Sequence, residues 1–225
     1  MCFSAPVSFI ASGALTVLGG ATFAVAQKKD KILVAIPLMF GIQQAFEGVQ
    51  WLYLNSGSTS LLAGYGFLFF ALIVWPIYVP LFVYVLDKER KKPLRWLILM
   101  GLAVALYFVA LLERHALHIH ERYECVSYTF DFNTEWLVVP LYLLTVFGSL
   151  FISSRAIFRW FGLAISLLAL VSWKFYTMNF ISVWCFFAAV VSSMFFVYVR
   201  YRRSARLKQF ASWFHRDASK FDFDT

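Results

Sequence analysis

Charge is scarce in this sequence. Only 12 acidic and 20 basic residues occur among 225, so charged side chains make up 14%, against about 25% in a soluble domain. So few cannot clothe a water-exposed surface, which excludes a soluble globular protein. The high apolar content excludes a disordered one. Cysteine is also sparse, at three residues, too few for a disulfide scaffold. The apolar runs lack a two-residue alternation, which excludes a transmembrane β-barrel. Residues 179–199 contain no lysine, so a retinal Schiff base has no anchor there. P-loop, nucleophile-elbow, potassium-filter and dinucleotide motifs are all missing. Three of the four histidines fall in one short segment, unlike a metal centre assembled from several spans.

Hydrophobic residues are abundant. They make up 61% of the chain and aromatics 20%, against about 45–50% apolar in soluble domains. A spanning helix needs about 20 mostly apolar residues. Seven stretches approach or meet that length: 5–26, 32–54, 61–86, 94–112, 136–152, 156–174 and 179–199. The sixth has the shortest uninterrupted core, Trp160 to Trp173, with Arg159 and Lys174 at its ends. The pattern predicts an all-α polytopic membrane protein, a bundle of seven transmembrane helices. Threaded with the N-terminus outside and the C-terminus inside, it leaves only Arg114, Arg122 and Lys174 of the 20 basic residues outside. That satisfies the positive-inside rule. The net charge of +8 is then an orientation signal and an attraction to anionic lipid, and it requires no nucleic acid. The first span lacks a basic segment before it and is expected to be retained.

Residues 1–199 are thus expected to form the membrane domain, and 200–225 a basic cytoplasmic tail. In that tail Leu207, Phe210 and Phe214 recur at helical spacing opposite Arg and Lys, the pattern of a helix lying on an anionic inner leaflet. Outside, the long loop 113–135 holds His115, His118 and His120 among Glu113, Glu121 and Glu124. These histidines are candidate ligands for a transition metal or haem, the alternative being a solvated loop. Cys2 and Cys125 share the outer side, where a disulfide between them is open. Cys185 sits inside the seventh span as a small apolar filler.

The second span, ILVAIPLMFGIQQAFEGVQWLYL, carries the chemistry. Glu47 is the one ionisable residue well inside any span, and a carboxyl in hydrocarbon is costly enough to mark function. Gln43, Glu47, Gln50 and Trp51 stand at i, i+4, i+7 and i+8, one helix face, with Gln44 one turn before Glu47. Polar residues also join membrane helices structurally, but the cluster points to a polar cavity, opening toward the outer face. Trp75-Pro76 and Pro80 predict a break in the third span.

Two strings support a resemblance. The opening Met1-Cys2-Phe3-Ser4-Ala5 and the run Phe40 to Leu52, with its Gln-Gln-x-x-Glu-Gly-x-x-Trp core, resemble an uncharacterised bacterial integral-membrane family. The stretch His118 to Tyr123 is similar to it too. The resemblance implies a bacterial cytoplasmic-membrane location and no particular activity.

The functional expectation is an outward-facing intramembrane site around Glu47 that binds a small solute, a proton or a cation, for transport or sensing. One alternative is a metal- or haem-dependent membrane enzyme or redox protein using the histidine cluster. Another is a structural subunit of a membrane assembly. Homo-oligomerisation stays open.

Overall fold

The computed structural model describes residues 4–28, 30–131 and 135–201. It is 81% helical, with seven helices: α1 (Ala5–Val25), α2 (Lys31–Asn55), α3 (Leu61–Leu86), α4 (Lys91–Arg114), α5 (Glu135–Ile152), α6 (Ala156–Phe175) and α7 (Thr177–Tyr201). Six are long and apolar enough to cross a membrane, while the apolar part of α5, Val138–Ile152, is shorter. The sixth stretch, whose uninterrupted core looked shortest, is a full helix. Its Arg159 folds back and donates to the carbonyls of Ser153 at 3.0 Å and Ser154 at 3.3 Å. Cys2 and the tail beyond Tyr201 lie outside the described residues.

In the apolar stretches of α2 and α3, 56% of residues are buried, against 22% in α1, so α2 and α3 form the centre. α1 lies along one side of α2, and α7 contacts it on another. α4 and α5 pack on α3, and α6 bridges α5 and α7.

The segment expected as an irregular loop folds as a hairpin. β1 (Leu117–Arg122) pairs antiparallel with β2 (Cys125–Phe130), with His118 opposite Thr129 and Arg122 opposite Cys125. The run Cys-Val-Ser-Tyr-Thr-Phe is rich in β-branched and aromatic residues, which suit a strand. Tyr123 and Glu124 make the two-residue turn with φ of 52° and 55°. Those left-handed values match the strand twist but cost a residue with a side chain about 1–2 kcal/mol. Cys125, Val126, Ser127 and Tyr128 are all buried, so β2 is covered on both faces. Leu117 and Ile119 press on Gly64 of α3, where a Cβ would stand 2.3 Å from Ile119 Cδ1. On the other side, Ser127 donates to the Met178 carbonyl of α7 at 3.0 Å.

The expected break in α3 is a π-helical turn, Phe69–Val74. The Trp75 N–H bonds to the Phe70 carbonyl five residues back. The next donor in that register would be residue 76, which is proline and has no N–H. The Ala71 carbonyl it leaves is taken by the Tyr142 hydroxyl of α5 at 2.7 Å. Pro80 likewise cannot bond to the Pro76 carbonyl four residues back. Gly101 of α4 covers that oxygen so closely that a Cβ would stand 1.9 Å from it. Gly101→Ala is therefore expected to cost about 1–3 kcal/mol. Thermal unfolding in detergent checks this, and a variant as stable as the native chain would show that α3 and α4 can separate.

At the end of the bundle opposite the hairpin, Asp87 is fully buried. One carboxylate oxygen accepts the N–H groups of Glu89 at 2.9 Å and Arg90 at 3.1 Å. The other accepts the Ser153 hydroxyl, the Ser154 N–H and the Ser154 hydroxyl at 2.7, 2.7 and 3.0 Å. It thereby ties the α3–α4 turn to the α5–α6 turn. Burial pushes this carboxyl up, but the bonds from Ser153, Arg90, Ser154 and Glu89 outweigh it and hold the group below the usual carboxylate range. A depressed carboxyl stabilises the fold above its unfolded-state value and loses that contribution as pH falls. Asp87→Asn is expected to cost about 2 kcal/mol near neutrality, and the difference from the native chain should shrink below about pH 4. Denaturation midpoints across pH give the comparison, and a constant difference would contradict it.

Candidate functional site

The five residues singled out on α2 do come together, and all are buried: Gln43, Gln44 and Gln50 at 0%, Glu47 at 1% and Trp51 at 4% exposed. Three neighbouring elements hold them. Trp75, placed by the π-turn of α3, stacks on Phe40 with ring centres 4.0 Å apart and donates its indole N–H to Gln43 Oε1 at 2.9 Å. An indole N–H only donates, so this bond fixes which end of the Gln43 amide faces α3. Ser182 of α7 donates its hydroxyl to Glu47 Oε1. Gln50 Oε1 accepts the Ser60 N–H at 3.3 Å, and the Ser60 hydroxyl in turn caps α3 by accepting from the Ala63 N–H at 3.2 Å.

Several polar atoms in this layer stay without hydrogen bonds. They are Gln43 Nε2, both amide atoms of Gln44, Glu47 Oε2, Gln50 Nε2, Trp51 Nε1 and the Tyr128 hydroxyl. Gln44 lies beside the Glu47 carboxyl but falls short of hydrogen-bond geometry. Native proteins leave few buried polar atoms unpaired, so a concentration of them sets this layer apart from the rest of the interior. Asp87 makes the contrast within one chain. That carboxylate, equally buried, accepts five hydrogen bonds, whereas Glu47 accepts one.

An outward-opening cavity around Glu47 was expected; the carboxyl is instead enclosed. A cavity of ≈ 40 Å³ does occur next to the layer, on its far side from the hairpin. Its walls are apolar side chains, including Phe40, Trp75, Tyr142 and Cys185, and none of the five α2 residues lines it.

The histidines do not close over the site. His118 and His120 are exposed on β1, and His118 Nε2 lies 3.1 Å from both carboxylate oxygens of Asp131. Among the described residues no group of three or more His, Cys, Asp or Glu could hold a metal ion. Cys125 is buried and disulfide-bonded and Cys185 is free, while Cys2 lies outside the described residues. The loop residue that reaches the site is Tyr128, stacked on Phe67 of α3 with ring centres 5.0 Å apart and planes 8° apart.

Sequence reasoning missed Ser182, Tyr128 and the part played by Trp75. Ser182 is one hydroxyl in an apolar run and carried no signal of its own. Tyr128 had one, since Val126, Tyr128 and Phe130 alternate with smaller or polar residues in the period of a strand. Trp75→Phe keeps the stack on Phe40 but leaves Gln43 Oε1 buried without a donor. A loss of about 1–3 kcal/mol is expected, read as a lower unfolding midpoint in detergent, and an unchanged midpoint would mean that the amide finds another partner.

Neither a curated protein nor a solved structure matches the chain. A family model does, over residues 1–210, and the chain belongs to that family of unknown function, DUF6629.

Proposed function

We propose that this is a multi-pass protein of a bacterial cytoplasmic membrane, with the hairpin end outside, whose Glu47 exchanges a proton as part of transport or sensing. The observation that supports this most is the under-satisfied carboxyl itself. Glu47 is 1% exposed, with one hydroxyl donor on Oε1 and none on Oε2. A proton is the ligand that needs no open cavity, and the carboxyl stands enclosed among amides. Gln44 has free amide atoms beside it, and an amide can donate to a carboxylate or accept from a carboxylic acid. Such a layer accommodates both charge states by turning amide groups rather than by moving helices.

The orientation follows from the basic residues. With the hairpin end outside, Lys88, Arg90, Lys91, Lys92 and Arg95 at the α3–α4 turn and Arg155 and Arg159 at the α5–α6 turn face the cytoplasm. All seven helices then cross the bilayer, α5 by including residues before Val138. The basic tail beyond Tyr201 is outside the described residues.

Glu47→Gln removes the titrating group and keeps the shape. Infrared difference spectra of the purified protein, recorded as the pH is stepped from about 4 to about 9, should show one buried carboxyl gaining or losing its proton. That signal should be missing in Glu47→Gln. Identical spectra from the two proteins would end the proton reading.

A further inference from the structure

The two turns that Asp87 ties together are crowded with positive charge. Residues 87–95 and 153–159 contain seven basic side chains against Asp87 and Glu89, and Glu89 is the one exposed acid among them. Two of the seven are occupied. Lys91 donates to the Tyr84 carbonyl and lies 4.0 Å from the centre of that ring, and Arg159 donates to the Ser153 and Ser154 carbonyls. The side chains of Lys88, Arg90, Lys92, Arg95 and Arg155 carry no hydrogen bond or ion pair among the described residues. The first four are exposed and Arg155 is half-buried.

The backbone gathers these cations. The Arg90 N–H donates to Asp87 directly, and the Arg155 N–H donates at 3.2 Å to the Ser153 hydroxyl, which itself donates to Asp87. Both arginines therefore start from one carboxylate and cannot drift apart as two separate loops would. The helices that follow extend the patch. The last turns of α5 lie between them, with Gly148 facing Leu97 of α4 and Leu150 packed on Gly162 of α6, where a Cβ would stand 2.9 Å from it. About one turn into each helix an exposed tryptophan follows a cation, Arg95-Trp96 on α4 at 69% and Arg159-Trp160 on α6 at 66% exposed. Exposed indoles at helix ends suit the headgroup level of a bilayer. Neither helix has an acid in its first turn, so each sets its cations at the positive end of its own dipole, an arrangement that a bound anion relieves.

We propose that the α3–α4 and α5–α6 turns together form a docking site for the headgroup of an anionic phospholipid, its phosphate held by Arg90, Lys92 and Arg155. Orientation in a membrane requires only an excess of cations in short loops. It does not require that two loops be fastened to each other through one buried carboxylate, nor that each be followed by an exposed indole. A phospholipid accounts for these features together. Its phosphate oxygens accept from several cations at once, its net negative headgroup matches the unpaired charge, and its acyl chains lie along the apolar helices below the tryptophans. The site rests on the membrane placement proposed above and is independent of the proton at Glu47.

The full chain, purified in a neutral detergent, is mixed with phosphatidylglycerol or phosphatidylcholine, and the lipid it retains is counted by native mass spectrometry. Phosphatidylglycerol should be held with a preference of at least about tenfold. Combining Arg90→Gln, Lys92→Gln and Arg155→Gln should abolish that preference. Combining Arg114→Gln, Arg122→Gln and Lys174→Gln, at the hairpin end, removes the same charge and should leave it. Asp87→Asn makes the sharpest comparison. It renders the chain more positive by one charge but loosens the two turns, so it should weaken retention severalfold, whereas diffuse attraction would strengthen it. The triple glutamine variants carry the test where Asp87→Asn does not fold. Equal retention of the two lipids, equal loss in the two triple variants, or unweakened binding in folded Asp87→Asn would overturn the site. Displacement of the lipid by millimolar inorganic phosphate would overturn it too, since a free anion would then be the occupant. Retention in detergent does not depend on which way the protein faces, so its failure would leave the membrane placement and the proton reading standing.

Discussion

A helix in apolar surroundings must find a partner for every backbone carbonyl it frees, and α3 frees two. Pro76 and Pro80 each remove an N–H from the centre of the bundle. The orphaned oxygens are met from outside the helix, Ala71 by the Tyr142 hydroxyl and Pro76 by the bare face of Gly101. These two contacts set how α4 and α5 approach α3. The π-turn that precedes Pro76 also carries Trp75 onto Phe40 and its indole N–H onto Gln43. The order of the polar layer is thus downstream of a backbone problem, since without the wide turn the indole would point elsewhere. Two prolines therefore organise three helices and orient one amide of the site.

Two of the buried carboxyls, Asp87 and Glu47, sit in surroundings of different character. Asp87 is saturated with donors from its own turn and from the turn between α5 and α6, and it behaves as a rivet. Glu47 meets one hydroxyl, from a helix 135 residues away in sequence. A group held by five donors gains from keeping its charge. One held by a single donor has little to offset the cost of burying its charge and is the easier of the two to neutralise. The fold thus keeps its rigid electrostatics at one end and an adjustable set at the other.

Much of the architecture was legible because long apolar runs obey simple rules of length and period. Length and apolarity marked the helices to within a few residues, and the i, i+4, i+7 spacing placed Gln43, Glu47 and Gln50 on one face. The break at Trp75-Pro76 was legible too, because proline has no N–H. What stayed hidden was pairing. Nothing in the sequence around Ser182 says that its hydroxyl meets Glu47, nor that Ser153 and Ser154 meet Asp87. The hairpin was hidden for another reason. Histidine and glutamate drew attention to β1, while the alternation that makes β2 a buried strand lay in the less conspicuous run from Cys125 to Phe130. The histidines face outward because Leu117 and Ile119, on the other face of the same strand, have the apolar seat.

The position of β2 between α3 and α7 bears on how the chain is made. Its seat has one wall from an earlier segment, α3, and one from a later one, α7. Ser127 finds its acceptor 51 residues later, and the Arg122 carbonyl its donor 57 residues later. While the polypeptide emerges, the finished hairpin has no second wall, and Glu47 has no hydroxyl. Both wants are met by the same helix, within one turn of it. Arrival of α7 thus completes both seats together, and a chain stopped before residue 177 would lack the second wall of the strand and the hydroxyl donor of Glu47 at once.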